Sequence, residues 1–139
     1  MEGNDMDMDR NFLLLPGIVQ VALDRGEKPE DIVPVLLDAA ILARSKQLQH
    51  LLVVSGSDDP ATAGAVSLAL ERMHALGAPP PLKIAFVACT LPQYSVYHFS
   101  EHYAPKFGIV AKVLVSVRDA KDWLSLREDA HAGPVALQR

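Results

Sequence analysis

The stretch from Leu51 to Leu70, LLVVSGSDDPATAGAVSLAL, constrains the fold of this chain most. Leu51 to Val54 is an unbroken apolar run, the composition of a short strand covered on both faces in the middle of a sheet. Ser55-Gly56 stops the run, a short acidic turn follows, and Asp59-Pro60 then opens an apolar-periodic segment. Asp before Pro is the pattern of a cap followed by a first helical residue, so Asp59 is the expected helix cap. Ala63, Val66, Leu70 and Met73 recur on one helical face, and Gly77 supplies the stop. Strand, tight loop and helix in this order place hydroxyls and backbone N–H groups at the carboxyl edge of a sheet, where α/β proteins bind their ligands.

The flanking segments extend the same alternation. Phe12 to Leu15 and Ile18 to Leu23 are apolar runs joined at Pro16-Gly17, the pair a type II turn takes at its central positions, and they predict an edge hairpin. A helix is expected from about Pro29 to Gln47, with Ile32, Val35, Leu36, Ala39 and Ala43 on its inner stripe and Pro34 bending it or delaying its start. Leu37 and Ile41 fall off that stripe and, with Leu68, form an apolar excess suited to deeper burial or a subunit contact. A second central strand is expected over Lys83 to Ala88, after the stiff connector Ala78-Pro79-Pro80-Pro81. It is followed by a helix from about Gln93 to Ala104 with Val96, Phe99 and Tyr103 inward. Gly108 ends that helix, Ile109 to Ser116 with Lys112 at its middle suits a strand near an edge, and Asp119 to Leu126 makes a last helix around Trp123. The fold class is therefore α/β: one domain with a mixed sheet, an N-terminal antiparallel hairpin plus mainly parallel strands, and about four helices. The domain is expected over residues 12–126, between an acidic tail, 1–11, and a C-terminal tail, 127–139, without periodicity.

Composition narrows the function classes. A chain of 139 residues supports one core. The net charge of −4 lacks the basic field that collects around phosphate backbones, so no nucleic-acid partner is expected. No run reaches the roughly 18 apolar residues of a membrane span, and the first ten residues have no signal-peptide pattern. Cys89 is the only cysteine, which excludes an intrachain disulfide and fits a reducing cytoplasm.

This order of elements, together with the closing passage KIAFVACTLPQYSVYHFSEHYAPKFGIVAKVLVSVRDAKDWL, resembles the STAS superfamily, and within it the small SpoIIAA-like proteins, over residues 12–126. The features that carry the resemblance are Lys83 to Ala88 and the helix after it, Phe107-Gly108-Ile109 before the last strand, and the terminal Asp119-Ala120-Lys121-Asp122-Trp123-Leu124. The resemblance implies a mixed sheet with helices packed on it and a non-enzymatic role in regulation or protein contact. The anti-sigma-factor antagonists of that superfamily carry a phosphorylatable serine in D-S-S-G at the start of the second helix. Ala61-Thr62-Ala63-Gly64 stands in the corresponding place, so Thr62 takes the serine's position, although the aspartate before it is missing.

Candidate site residues follow from these placements. Ser55, Ser57 and Thr62 offer hydroxyls at the strand-to-helix turn, as an anion site or a phosphoswitch. Tyr94 and Tyr97 could line a pocket for a small hydrophobic ligand. Cys89, between a strand and a helix, could act as a nucleophile with His98 as base. His98 and His102 share a helix face, but a zinc site needs further ligands and no metal is expected. GxGxxG and GxxxxGK[ST] are absent, and no cofactor is expected. The expected function is that of a non-catalytic domain that binds a protein partner or a small hydrophobic ligand, as a possible homodimer. The alternative is a small enzyme or phosphate-binding protein using the Ser55 to Thr62 turn with Cys89 and His98.

Overall fold

Strands that follow one another in space as they do in sequence must step across the sheet in one direction, and this decides where the helices lie. The computed structural model describes residues 12–23, 28–56, 61–77 and 82–125. Five strands, β1 (Phe12–Leu15), β2 (Ile18–Leu23), β3 (His50–Ser55), β4 (Leu82–Val87) and β5 (Ile109–Leu114), form one sheet in the order β1-β2-β3-β4-β5. β1 is antiparallel to β2, and every other neighbouring pair is parallel. The helices are α1 (Ile32–Ser45), α2 (Ala63–Ala75), α3 (Leu91–Tyr103) and α4 (Val117–Ser125), with 3-10 turns at Pro29–Asp31 and Ala104–Phe107. Crossovers of one hand that advance in one direction place their helices on one face of a sheet. Accordingly α1, α2 and α3 share a core with Val19, Val21, Leu51, Val53, Ile84 and Phe86.

The opposite face is covered by α4, whose Ala120 and Leu124 pack against Ile18, Leu52, Ala85 and Val87. Lys83 also points to this side, buried, with its Nζ 4.7 Å from the centroid of the Trp123 ring. The apolar stem of Lys83 thus lies within the sheet while its charge meets the face of an aromatic ring.

Local chemistry explains most element boundaries. Gly17 has φ of 75°, as the second central position of a type II turn requires after Pro16. Gly77 and Gly108 are also left-handed, and they stop α2 and the second 3-10 turn where the sequence predicts. Pro34 falls in the first turn of α1, where the missing N–H has no intrahelical acceptor to lose, and the 3-10 turn at Pro29–Asp31 precedes it. β5 has Lys112 exposed at the sheet edge as expected.

Two expectations change. α2 is capped by Thr62, whose extended backbone lets Oγ1 accept the Ala65 N–H at 3.2 Å; Asp59 lies outside the described residues. A hydroxyl in register with the third N–H of the helix decides the start, three residues beyond the acidic turn. The inner face of α3 is also rotated from the expected one. Gln93, Tyr97 and Ser100 are buried, whereas Val96 and Tyr103 are half-buried and Phe99 is exposed. Ser100 reaches that interior because its hydroxyl donates to the Val96 carbonyl at 3.1 Å. The expected tails at 1–11 and 127–139 and the connector at 78–81 lie outside the described residues, and among the described residues no helix is long and apolar enough to cross a membrane.

Candidate functional site

The carboxyl ends of the parallel strands are tied together by one side chain. Gln93 is the third residue of α3 and completes a capping box: its N–H donates to Thr90 Oγ1 at 3.3 Å, and its Oε1 accepts the Thr90 N–H at 3.1 Å. The same Oε1 accepts the Cys89 N–H at 2.7 Å, and Nε2 donates to the Gly56 carbonyl at 2.8 Å. The Gly56 N–H in turn donates to the Leu23 carbonyl at 3.0 Å, so the ends of β2, β3 and β4 form one continuous network. On the far side, the Ala88 N–H donates to the Leu114 carbonyl of β5 at 2.9 Å. Gln93 is buried, and each of its polar groups has a partner, so the edge of the sheet is rigid before any ligand arrives.

Beside this network lies a pocket of about 260 Å³ lined by Ala88, Cys89, Thr90, Leu91, Tyr94 and Val115. Two large apolar side chains on its rim face solvent: Leu91, the first residue of α3, is 81% exposed, and Val115, just after β5, is 69% exposed. The lining is apolar except for the Thr90 hydroxyl, the exposed Cys89 thiol and the Tyr94 phenol. The backbone N–H groups of Cys89 and Thr90, which could otherwise meet an anion, are taken up by Gln93. An apolar side chain or a small planar ligand suits such a surface, and a phosphate does not.

Of the residues expected at a site, Cys89 and Tyr94 meet in this pocket. Ser55 and Tyr97 do not line it; both are buried, and Ser55 Oγ donates to Tyr97 Oη at 3.2 Å while the Tyr97 ring stacks on Phe86 at 4.4 Å. They form an interior hydrogen bond beneath the edge. Thr62 is exposed at the start of α2, and Ser57 lies outside the described residues. His98 stands further along α3, exposed, stacked on Tyr94 and meeting His102 edge-on, with Nδ1 3.4 Å from Glu101 Oε1. It does not line the pocket that holds Cys89. Among the described residues no group of three or more His, Cys, Asp or Glu side chains could hold a metal ion.

Leu91, Val115, Ala88 and Thr90 are the pocket residues that sequence reasoning misses. The signal for part of it is Thr90-Leu91-Pro92-Gln93, which reads as a capping box with Pro in the first turn and places Leu91 at the very start of the helix. As a check on the other helix start, Thr62→Ala is expected to cost about 1 kcal/mol in urea unfolding, the typical loss of a cap. Comparison of the chain with family models, with curated proteins and with solved structures finds no match.

Proposed function

We propose that this chain is a non-catalytic binding domain of SpoIIAA-like type, acting by contact with a protein partner whose apolar side chain enters the pocket at the ends of β4 and β5. The observation that carries this reading is the pair Leu91 and Val115, 81% and 69% exposed, on either side of a preformed apolar recess. Exposed large apolar groups around a pocket are how interface anchors are received. The resemblance to the STAS superfamily supports the regulatory character, and the single thiol suits a reducing, cytoplasmic setting. Thr62 is the position for a phosphoswitch within this reading, since a phosphate at the first turn of the 13-residue helix α2 would face the positive end of its dipole. A small hydrophobic ligand in the same recess, or an enzyme built on Cys89, is the competing outcome.

The test is a paired variant, Leu91→Asp with Val115→Asp. Both positions are solvent-facing, so the melting temperature should stay near that of the wild type. Affinity capture from the native cell is expected to recover a partner with the wild type and to lose it with the double variant. Titration of labelled protein with indole, followed by amide shifts at residues 88–94 and 115, reads the recess directly. An unchanged partner set, or indole shifts located elsewhere, would overturn the proposal.

A further inference from the structure

The two edges of the sheet are built differently. At the β5 edge, Lys112 projects into solvent and Glu101 reaches from α3 so that its Oε2 accepts the Val113 N–H at 2.6 Å. A charge on the strand and a side chain on its backbone are the usual guards against strand addition. The β1 edge has neither. Its sequence is Phe12-Leu13-Leu14-Leu15, with Leu13 53% and Leu14 50% exposed on opposite faces, and among the described residues no hydrogen bond reaches its outer side.

Register determines what that edge displays. Leu15 and Ile18 flank the two-residue turn Pro16-Gly17 and form its closing hydrogen-bonded pair, so Leu13 and Gln20 form the next. Phe12 and Leu14 fall between them, and their N–H and C=O groups point away from β2. We propose that this edge pairs antiparallel with the β1 strand of a second copy of the chain, with Leu13 opposite the partner's Leu13 on the two-fold axis. In that register Phe12 meets the partner's Leu14 and Leu14 meets the partner's Phe12, each as a hydrogen-bonded pair. The displayed groups are then matched without remainder, which is the self-complementarity an isologous interface needs.

Side chains above and below the strand agree with this arrangement. Phe12 and Leu14 lie on the face that carries α1, because they pair with Val21 and Val19. Arg44 Nη1 donates to the Leu76 carbonyl at 2.6 Å, which identifies the flank of α1 that faces α2. Val35 and Leu42 lie on the opposite flank by helical periodicity, half-buried and directed toward the β1 side of the sheet. Two copies would bring these flanks together over Phe12 and Leu14, with Leu13 and Leu15 on the other face, and no charged side chain stands on β1. The interface is separate from the pocket, which lies at the far edge of the sheet beside β4 and β5.

The test uses the full chain. Sedimentation over a concentration series is expected to show a monomer–dimer equilibrium, and Leu13→Lys, which sets two like charges directly opposite each other, should weaken the dimer by roughly tenfold or more. Leu13 is exposed in the single copy, so the variant monomer should melt near the wild-type temperature. In a Cys89→Ser background, Leu13→Cys should cross-link readily under mild oxidation, because non-hydrogen-bonded antiparallel pairs bring Cα atoms to about 4.5 Å, within disulfide reach. Phe12→Cys and Leu14→Cys should cross-link poorly, since neither residue faces its own copy. A wild type that remains monomeric at every concentration, a dimer indifferent to Leu13→Lys, or equal cross-linking at all three positions would overturn the proposal. Loss of partner capture in the pocket variants with dimerisation intact would leave this interface standing, so the two readings fail separately.

Discussion

Tyr97→Ala is expected to destabilise the protein by roughly 3–5 kcal/mol, the loss typical of truncating a large buried aromatic side chain. Three features of Tyr97 combine: the residue is fully buried, its ring lies 4.4 Å from Phe86 at an interplanar angle of 9°, and its hydroxyl accepts from Ser55 in the interior. Such a loss is comparable with the whole stability of many domains, so the variant should be largely unfolded well below the wild-type melting temperature. Tyr97→Phe separates the contributions. It keeps the ring and its stacking and removes the hydroxyl that accepts from Ser55, at about 1 kcal/mol for that hydrogen bond. Urea unfolding of the two variants checks the argument; a Tyr97→Phe loss as large as that of Tyr97→Ala would place the energy in the hydroxyl and refute the packing account.

Gln93→Leu is expected to cost about 3 kcal/mol, since it removes the partners of the Cys89 N–H, the Thr90 N–H and the Gly56 carbonyl together. Leucine approximates the volume of glutamine, so the loss reports hydrogen bonding rather than a cavity. The change should also be local in its dynamics. Amide exchange at residues 88–91 and at Gly56 should accelerate far more than exchange in β3 and β4, because the strand ladders do not pass through Gln93. Uniform acceleration along the chain would show that Gln93 stabilises the fold as a whole and does not act as a local clamp.

These residues also show what was legible in the sequence. The strands were, because Leu51 to Val54 and Ile84 to Val87 are unbroken apolar runs between turn signals, and a central parallel strand has no other way to look. The turn glycines were, because left-handed backbone leaves few alternatives to Gly17, Gly77 and Gly108. The inner face of α3 was not. Hydropathy assigns Gln93 and Ser100 to solvent, yet both enter the interior by satisfying hydrogen bonds with groups close in space: Val96 for Ser100, and Gly56, 37 residues away, for Gln93. The start of α2 was missed for a related reason. Asp59-Pro60 carries the stronger local pattern, whereas the register of Thr62 with Ala65 depends on where the helix packs.

At the candidate site, residue type pointed to Cys89 and Tyr94, and their neighbours went unseen. Leu91 and Val115 look like core residues in a sequence, and only the path of the chain leaves them outside. An exposed apolar residue carries no local mark that separates it from a buried one.

The sequential strand order also has a consequence for synthesis on the ribosome. Each βα unit emerges next to the strand it pairs with, so the layer of α1, α2 and α3 can assemble as the chain lengthens, without waiting for distant segments. The other face has no such provision. Leu52, Ala85 and Val87 are complete in the nascent chain before the residues of α4 that cover them have been made. During that interval an almost finished sheet presents a bare apolar surface, so a chain stalled or truncated before Val117 should be a client for chaperones and proteases, with most of its secondary structure already formed.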